Sequence, residues 1–112
     1  MAKYRIKRVY EPAAEADGTR VLVDRVWPRG ITKEKAALSE WLKDVAPSTE
    51  LRQWFGHDPA RFEAFRERYR AELEGNAALD DLRRLKGTVT LVYGAHDETH
   101  NQAVVLKELL EE

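Results

Sequence analysis

No cysteine occurs among the 112 residues. Disulfides, thiolate metal sites and thiol nucleophiles are therefore excluded for this chain. A surplus of one charge is lacking too: 19 basic side chains stand against 20 acidic ones, a net charge of -1. That balance gives no general electrostatic grip on DNA or a membrane surface, so nucleic acid is not the expected partner. No apolar run approaches transmembrane length, and the opening Met-Ala-Lys-Tyr-Arg-Ile has no signal-peptide core. The expectation is a cytoplasmic protein with no membrane association. Gly-rich phosphate loops, Gly-x-Ser-x-Gly elbows, His-Glu-x-x-His pairs, internal repeats and low-complexity tracts are all missing, so no cofactor is implied.

What is present centres on Val21-Leu-Val-Asp-Arg-Val-Trp-Pro-Arg-Gly30. The β-branched and aliphatic residues at its start predict a buried strand, and Pro28 and Gly30 predict a sharp turn after it. Asp24 and Arg25 fall where that strand runs out. Trp27 and Arg29 fall in the turn, where a guanidinium can face a ligand beside a flat apolar wall.

At this length the chain is expected to form one domain spanning residues 1–112. Tyr4 to Tyr10 alternates in the manner of a strand near a sheet edge. Glu11 to Thr19 reads as a loop with a helical turn, and Thr32 as the cap of a short helix through Leu38. Glu40 to Ala46 is ambiguous by period and is read as a short strand ended by Ala46-Pro47-Ser48. Ser48 caps a helix through Trp54 that stops at Gly56. Asp58-Pro59 starts the clearest helix, whose Phe62, Phe65, Tyr69 and Leu73 make one buried stripe. Asn76 caps another, with Leu79, Leu82 and Leu85 facing inward. Thr88 to Tyr93 reads as a further strand. Thr99-His-Asn-Gln102 fits a capping box that opens the last helix.

Strands alternating with helices predict an α/β fold: a three-layer sandwich with a small, mostly parallel sheet of about four strands and helices on both faces. Ligands in such folds sit beyond the C-terminal strand ends. Three loops, Trp27 to Gly30, Ser48 to Arg52 and Gly94 to Asn101, are expected to meet there. They bring Arg25, Arg29, Arg52, Ser48, Tyr93, His96, His100 and Asn101, and two of them lead into helix N-termini that favour anions.

The residues Arg20 to Gly30, Trp41 to Ser48, Leu51 to His57, Phe65, Tyr69, Val89 to Tyr93 and His100 to Ala103 resemble the domain-of-unknown-function family 488, in its YeaO-like branch. The Asp24-Arg-Val-Trp-Pro-Arg-Gly30 block is its most specific part. The resemblance implies an α/β fold and brings no established biochemical activity. Longer members of the family carry a Cys-His-Arg segment at the start of the last helix. Here that place reads Thr99-His100-Asn101, so no cysteine chemistry transfers.

The leading expectation is a site for a small anionic or phosphorylated ligand, a nucleotide among the candidates. Arg25, Trp27, Arg29, Ser48, Arg52, Tyr93 and Asn101 would bind it, and His57 or His100 would handle protons if there is catalysis. Structural readings stand beside this one: Arg25 and Asp24 can serve as core-edge partners, Trp27 as a loop anchor, Ser48 as a cap. A metal pair at His96 and His100 would need both on one helix, and no metal site is expected. The alternatives are a non-enzymatic protein-interaction module and, more weakly, a regulatory nucleic-acid binder. Sequence leaves the strand order and the oligomeric state open.

Overall fold

The computed structural model describes residues 2–112. In chain order the elements are β1 (Ala2–Arg8), a 3-10 turn at Glu15–Asp17, β2 (Thr19–Leu22), α1 (Lys33–Ala36), β3 (Glu40–Trp41), a 3-10 turn at Lys43–Val45, α2 (Thr49–Phe55), a 3-10 turn at Pro59–Arg61, α3 (Phe62–Leu73), α4 (Ala77–Arg84), β4 (Gly87–Tyr93) and α5 (Gln102–Leu110). The four strands form one sheet in the order β1-β4-β2-β3, and every pair is parallel. This is the small α/β sandwich expected from the alternation of elements.

Alternate residues of a strand face opposite sides of the sheet, and each side here has its own core. Val21, Val23, Val89, Leu91 and Tyr93 point to the helical side, where they meet Phe55, Phe65, Tyr69, Leu82 and Leu106. Leu22 and Val92 point the other way, into a smaller cluster with Val9 and Ala36 that Trp27, Ile31, Leu38 and Trp41 cover. The second layer is thin: the four-residue α1 and two indoles stand where a full helix would otherwise lie. Trp27 and Trp41 meet edge to face at 5.3 Å.

The α3 stripe is buried as its period requires, with Phe62, Phe65, Tyr69 and Leu73 all inside. Burial of side chains this size contributes about 1.5–3 kcal/mol each. Caps sit where the sequence places them for three helices: Thr32, Ser48 and Asn76 each accept a hydrogen bond from a first-turn backbone N–H.

Several boundaries differ from the sequence reading. The segment from Glu40 to Ala46 is a strand for two residues only and then turns as 3-10 helix, because Val45 must tuck into the main core while Trp41 donates its indole N–H to the Asp24 carbonyl. Asp58-Pro59 starts a single 3-10 turn, and the α-helix itself begins at Phe62. The last helix is capped by Asn101, whose side chain accepts from the Val104 N–H. Thr99 is instead drawn into a turn around Asp97, so the expected Thr99–Gln102 capping box does not form. Gln102 is thereby left free to reach another group.

Among the described residues no helix is long and apolar enough to cross a membrane.

Candidate anion-binding cavity at the sheet edge

Strands β2 and β4 are adjacent and parallel, so the chain leaves both at the same edge of the sheet. Beyond Leu22 the ladder continues for one more bond, from the Val23 N–H to the Val92 carbonyl, and then the two chains diverge. A cavity of about 340 Å³ opens there. Its lining comes from all three of the loops that topology predicts: Asp24 to Arg29 after β2, Ala46, Pro47 and Arg52 around the start of α2, and Gly94, Ala95 and Gln102 after β4. Tyr10, Phe55, His57 and Phe65 complete it.

The deeper part of the cavity holds Asp24. Its carboxylate accepts a 2.9 Å hydrogen bond from the Gly94 N–H and a second from the Gln102 amide. Burial pushes its pKa up to about 6, against the pull of those two donors and of the Arg52 charge. The Gly94 contact explains the glycine: a Cβ there would stand 2.9 Å from Asp24 Oδ2 and 3.5 Å from Pro28. Asp24 is thus tied to β4 and to α5 at once, and the loop after β2 cannot move apart from them.

Arg25 follows in the bend after β2 and lines the same cavity. Its guanidinium donates to the carbonyls of Pro47 and Ala46, both at 3.1 Å, which fixes the loop ahead of α2 while leaving the charge on the cavity wall. Trp27 lines the cavity with its ring, and its N–H donates to the Ile31 carbonyl. Arg29 is exposed at the mouth, its own carbonyl held by the Tyr10 hydroxyl. Arg52 leaves α2 toward the same space. Among the described residues the side chains of Arg29 and Arg52 take part in no hydrogen bond or ion pair, unlike Arg20, Arg66 and Arg70, which are each matched to a carboxylate.

His57 lines the cavity from an unusual backbone. It follows Gly56, which closes α2 in the left-handed region, and is itself left-handed at φ 58°. Such a conformation costs a non-glycine residue about 1–2 kcal/mol.

Five residues named from sequence lie outside the cavity lining. Ser48 accepts from the Leu51 N–H and donates to Glu72 on α3. Tyr93 shares the strand parity of Val89 and Leu91 and is buried beneath the helices. Asn101 is buried as the cap of α5 and also donates to the Asp97 carbonyl. His100 pairs with Asp97 at 2.9 Å and sets its ring edge on Phe62. Asp97 accepts from the Thr99 and His100 backbone as well as from their side chains, and its carboxyl is held down at about 2 despite some desolvation. His96 is exposed. Among the described residues no three His, Cys, Asp or Glu side chains cluster as a metal site would require.

The polar lining side chains Asp24, Gln102 and Tyr10 are not among the ligand contacts expected from the sequence. The sequence marks Asp24 as a core-edge partner and Gln102 as half of a capping box. The available signal was Gly94, a glycine directly after a buried strand, where close backbone approach by another group is a standard reason for the residue.

The architecture is that of a small α/β protein with a wholly parallel sheet and a polar cavity at its C-terminal edge. Over residues 3–112 the chain matches the family described as the inactive DUF488-N3 subclade, and it belongs to that family. It is 48% identical over 110 residues to an uncharacterised protein of Mycobacterium tuberculosis, covering 96% of this chain and 93% of that one. It is also 48% identical over 109 residues to the uncharacterised protein YeaO of Escherichia coli, covering 93% of each. No solved structure matches the chain.

Proposed function

We propose that the chain binds a small phosphorylated or carboxylated molecule in the cavity beyond β2 and β4, and that it acts by holding this ligand rather than by turning it over. The observation that carries the reading is the pair Arg29 and Arg52, two guanidinium groups unmatched by any carboxylate among the described residues and lining one cavity with His57. A guanidinium fork suits carboxylate and phosphate oxygens. Arg25 adds a third fixed positive charge, and Asp24 is the one acidic side chain in the lining that opposes them. Binding without turnover accords with the description of the family as inactive and with the missing cysteine nucleophile. His57 stands in the lining as a ligand contact.

The test is a calorimetric titration with inorganic phosphate, pyrophosphate and a sugar phosphate, in the parent and in Arg29→Ala and Arg52→Ala. Saturable binding that weakens on the order of tenfold or more in each variant supports the reading, as loss of one charge-assisted hydrogen bond would give. Equal binding in all three proteins, or none to the parent, would overturn it.

A second reading has its own observation. Among the described residues Tyr10 and Val26 are the large apolar side chains most open to solvent, and both lie on the cavity lining. They suit a protein partner that inserts an acidic side chain between them. Lost phosphate binding in the parent, with retained binding to an acidic peptide, would favour that module.

A further inference from the structure

The cavity is polarised, and the polarity restricts what fits. Its exposed side chains, Arg29, Arg52 and His57, offer N–H donors and positive charge. Of its half-buried polar residues, Arg25 commits its guanidinium to the Pro47 and Ala46 carbonyls, while Asp24 and Gln102 offer acceptors. Asp24 contributes a carboxylate in which each oxygen already accepts one hydrogen bond, Oδ2 from the Gly94 N–H and Oδ1 from the Gln102 amide. One acceptor position remains on each. Gln102 gives one N–H of its NH₂ group to Asp24, which turns its amide so that Oε1 is available as an acceptor as well, and no protein donor meets that oxygen among the described residues. The open acceptors are therefore half-buried, whereas the uncommitted cationic donors Arg29 and Arg52 are exposed. Val26, Trp27, Pro28, Phe55 and Phe65 line the same cavity with apolar and mostly flat side chains.

A bare anion uses only the mouth. Phosphate leaves the inner acceptors to water and gains nothing from the flat walls. The ligand that satisfies both ends carries an anionic group, a flat middle and N–H donors at the far edge.

On the reading that the cavity is an anion site, the geometry points to a nucleoside monophosphate as its occupant, with phosphate on Arg29 and Arg52 and the N–H edge of the base on Asp24 and Gln102. Guanine presents two adjacent N–H donors on one edge, which matches a carboxylate beside an amide carbonyl. Reading a base by its hydrogen-bonding edge between apolar walls is a general mode of nucleobase recognition. Asp24 is ionised above about pH 6, so it acts as an acceptor at neutral pH. A half-buried charged acceptor strengthens any donor that reaches it.

The experiment is a calorimetric titration of the parent, Asp24→Asn and Gln102→Leu with inorganic phosphate, ribose 5-phosphate and guanosine monophosphate near neutral pH. Asp24→Asn keeps shape, because Gln102 can turn its amide to accept from the new NH₂ group while the asparagine oxygen keeps the Gly94 N–H. Circular dichroism and thermal unfolding check that each variant is folded. The parent is expected to bind guanosine monophosphate on the order of tenfold or more tighter than ribose 5-phosphate. Asp24→Asn is expected to lose that preference while binding phosphate as well as the parent or better, since a nearby negative charge is gone. Gln102→Leu is expected to lose part of it.

Guanosine monophosphate binding no tighter than ribose 5-phosphate in the parent would overturn the assignment of the base and leave the anion site standing. An undiminished preference in Asp24→Asn would overturn the role of the inner acceptors. Failure of all three ligands to bind the parent would remove the anion site, and the nucleotide with it.

Discussion

Asp24 Oδ2 and the Gly94 N–H meet at 2.9 Å in a place with no room for a methyl group. The carboxylate cannot swing aside, because Gln102 holds its other oxygen from α5. Gly94→Ala is therefore expected to push the carboxylate off its donors and to press on Pro28. Overpacking of this kind costs about 1–3 kcal/mol. Urea unfolding should show a lower midpoint with an unchanged slope, and ligand binding in the cavity should weaken along with it. A variant as stable as the parent would show that the two loops are free to separate.

The same carboxylate gives the protein a pH dependence of unusual sign. Burial raises its pKa from 3.8 to about 6, so the folded state holds its proton more tightly than the unfolded state does. The stabilisation linked to that proton is complete below about pH 4 and is lost as the pH rises through about 6. Asp24→Asn removes the dependence. It is expected to be more stable than the parent by up to about 3 kcal/mol above pH 7, with the advantage shrinking to nothing near pH 4. Urea midpoints for both proteins between these limits would measure it. A constant difference across the range would place the cause elsewhere.

Much of the scaffold could be read from the chain because it rests on local rules. The helical stripe from Phe62 to Leu73, the caps at Thr32, Ser48 and Asn76, and the buried runs at Val21 and Val89 each follow from a few neighbouring residues. The convergence of three loops on one sheet edge followed from parallel topology alone. Which side chains in those loops reach the cavity did not follow. Tyr93 is turned away by strand parity, and Ser48 and Asn101 are engaged as helix caps. Asp24 and Gln102 meet across 78 positions of sequence, and no local pattern marks such a pair. The cluster of half-buried Lys7 with buried Asp17 and Arg20 has the same character, since Lys7 lies on another strand.

His57 and Ala37 are the only non-glycine residues at positive φ among those described, at 58° and 46°. One lines the cavity and the other ends α1. Glycine at either position relieves the left-handed strain but adds freedom to the unfolded chain, so a net gain of up to about 1 kcal/mol is expected for each variant. The two should part company in binding. Ala37→Gly is expected to leave ligand affinity unchanged, whereas His57→Gly loses a donor from the cavity mouth. Denaturant midpoints and phosphate titrations on the two variants provide the comparison, and matched losses of affinity would remove His57 from the site.

Asp17 shows how the connection from β1 to β2 is held without a crossover helix. It is 1% exposed and accepts from Lys7 at 3.1 Å, from Arg20 at 2.6 Å and from the Ala14 N–H at 3.0 Å. Gly18 follows at φ 63°, where a Cβ would lie 2.3 Å from the Thr88 carbonyl oxygen, so the chain must pass this point as glycine. Burial alone would raise the Asp17 pKa, but the backbone donor and the two cations outweigh it and hold it below 3.8. The linked stabilisation is therefore present above the ordinary carboxylate range and is lost as the pH falls through the lowered value, opposite in direction to Asp24. Asp17→Asn keeps the hydrogen-bonding shape but leaves Arg20 buried, its remaining bonds going to the Ala36 carbonyl. Removing one member of a buried ion pair costs about 3–5 kcal/mol. The variant is expected to unfold at much lower urea than the parent at neutral pH, and the gap should narrow in acid as the parent's own carboxylate takes up its proton. A gap that stays the same at every pH would mean that the aspartate contributes shape rather than charge.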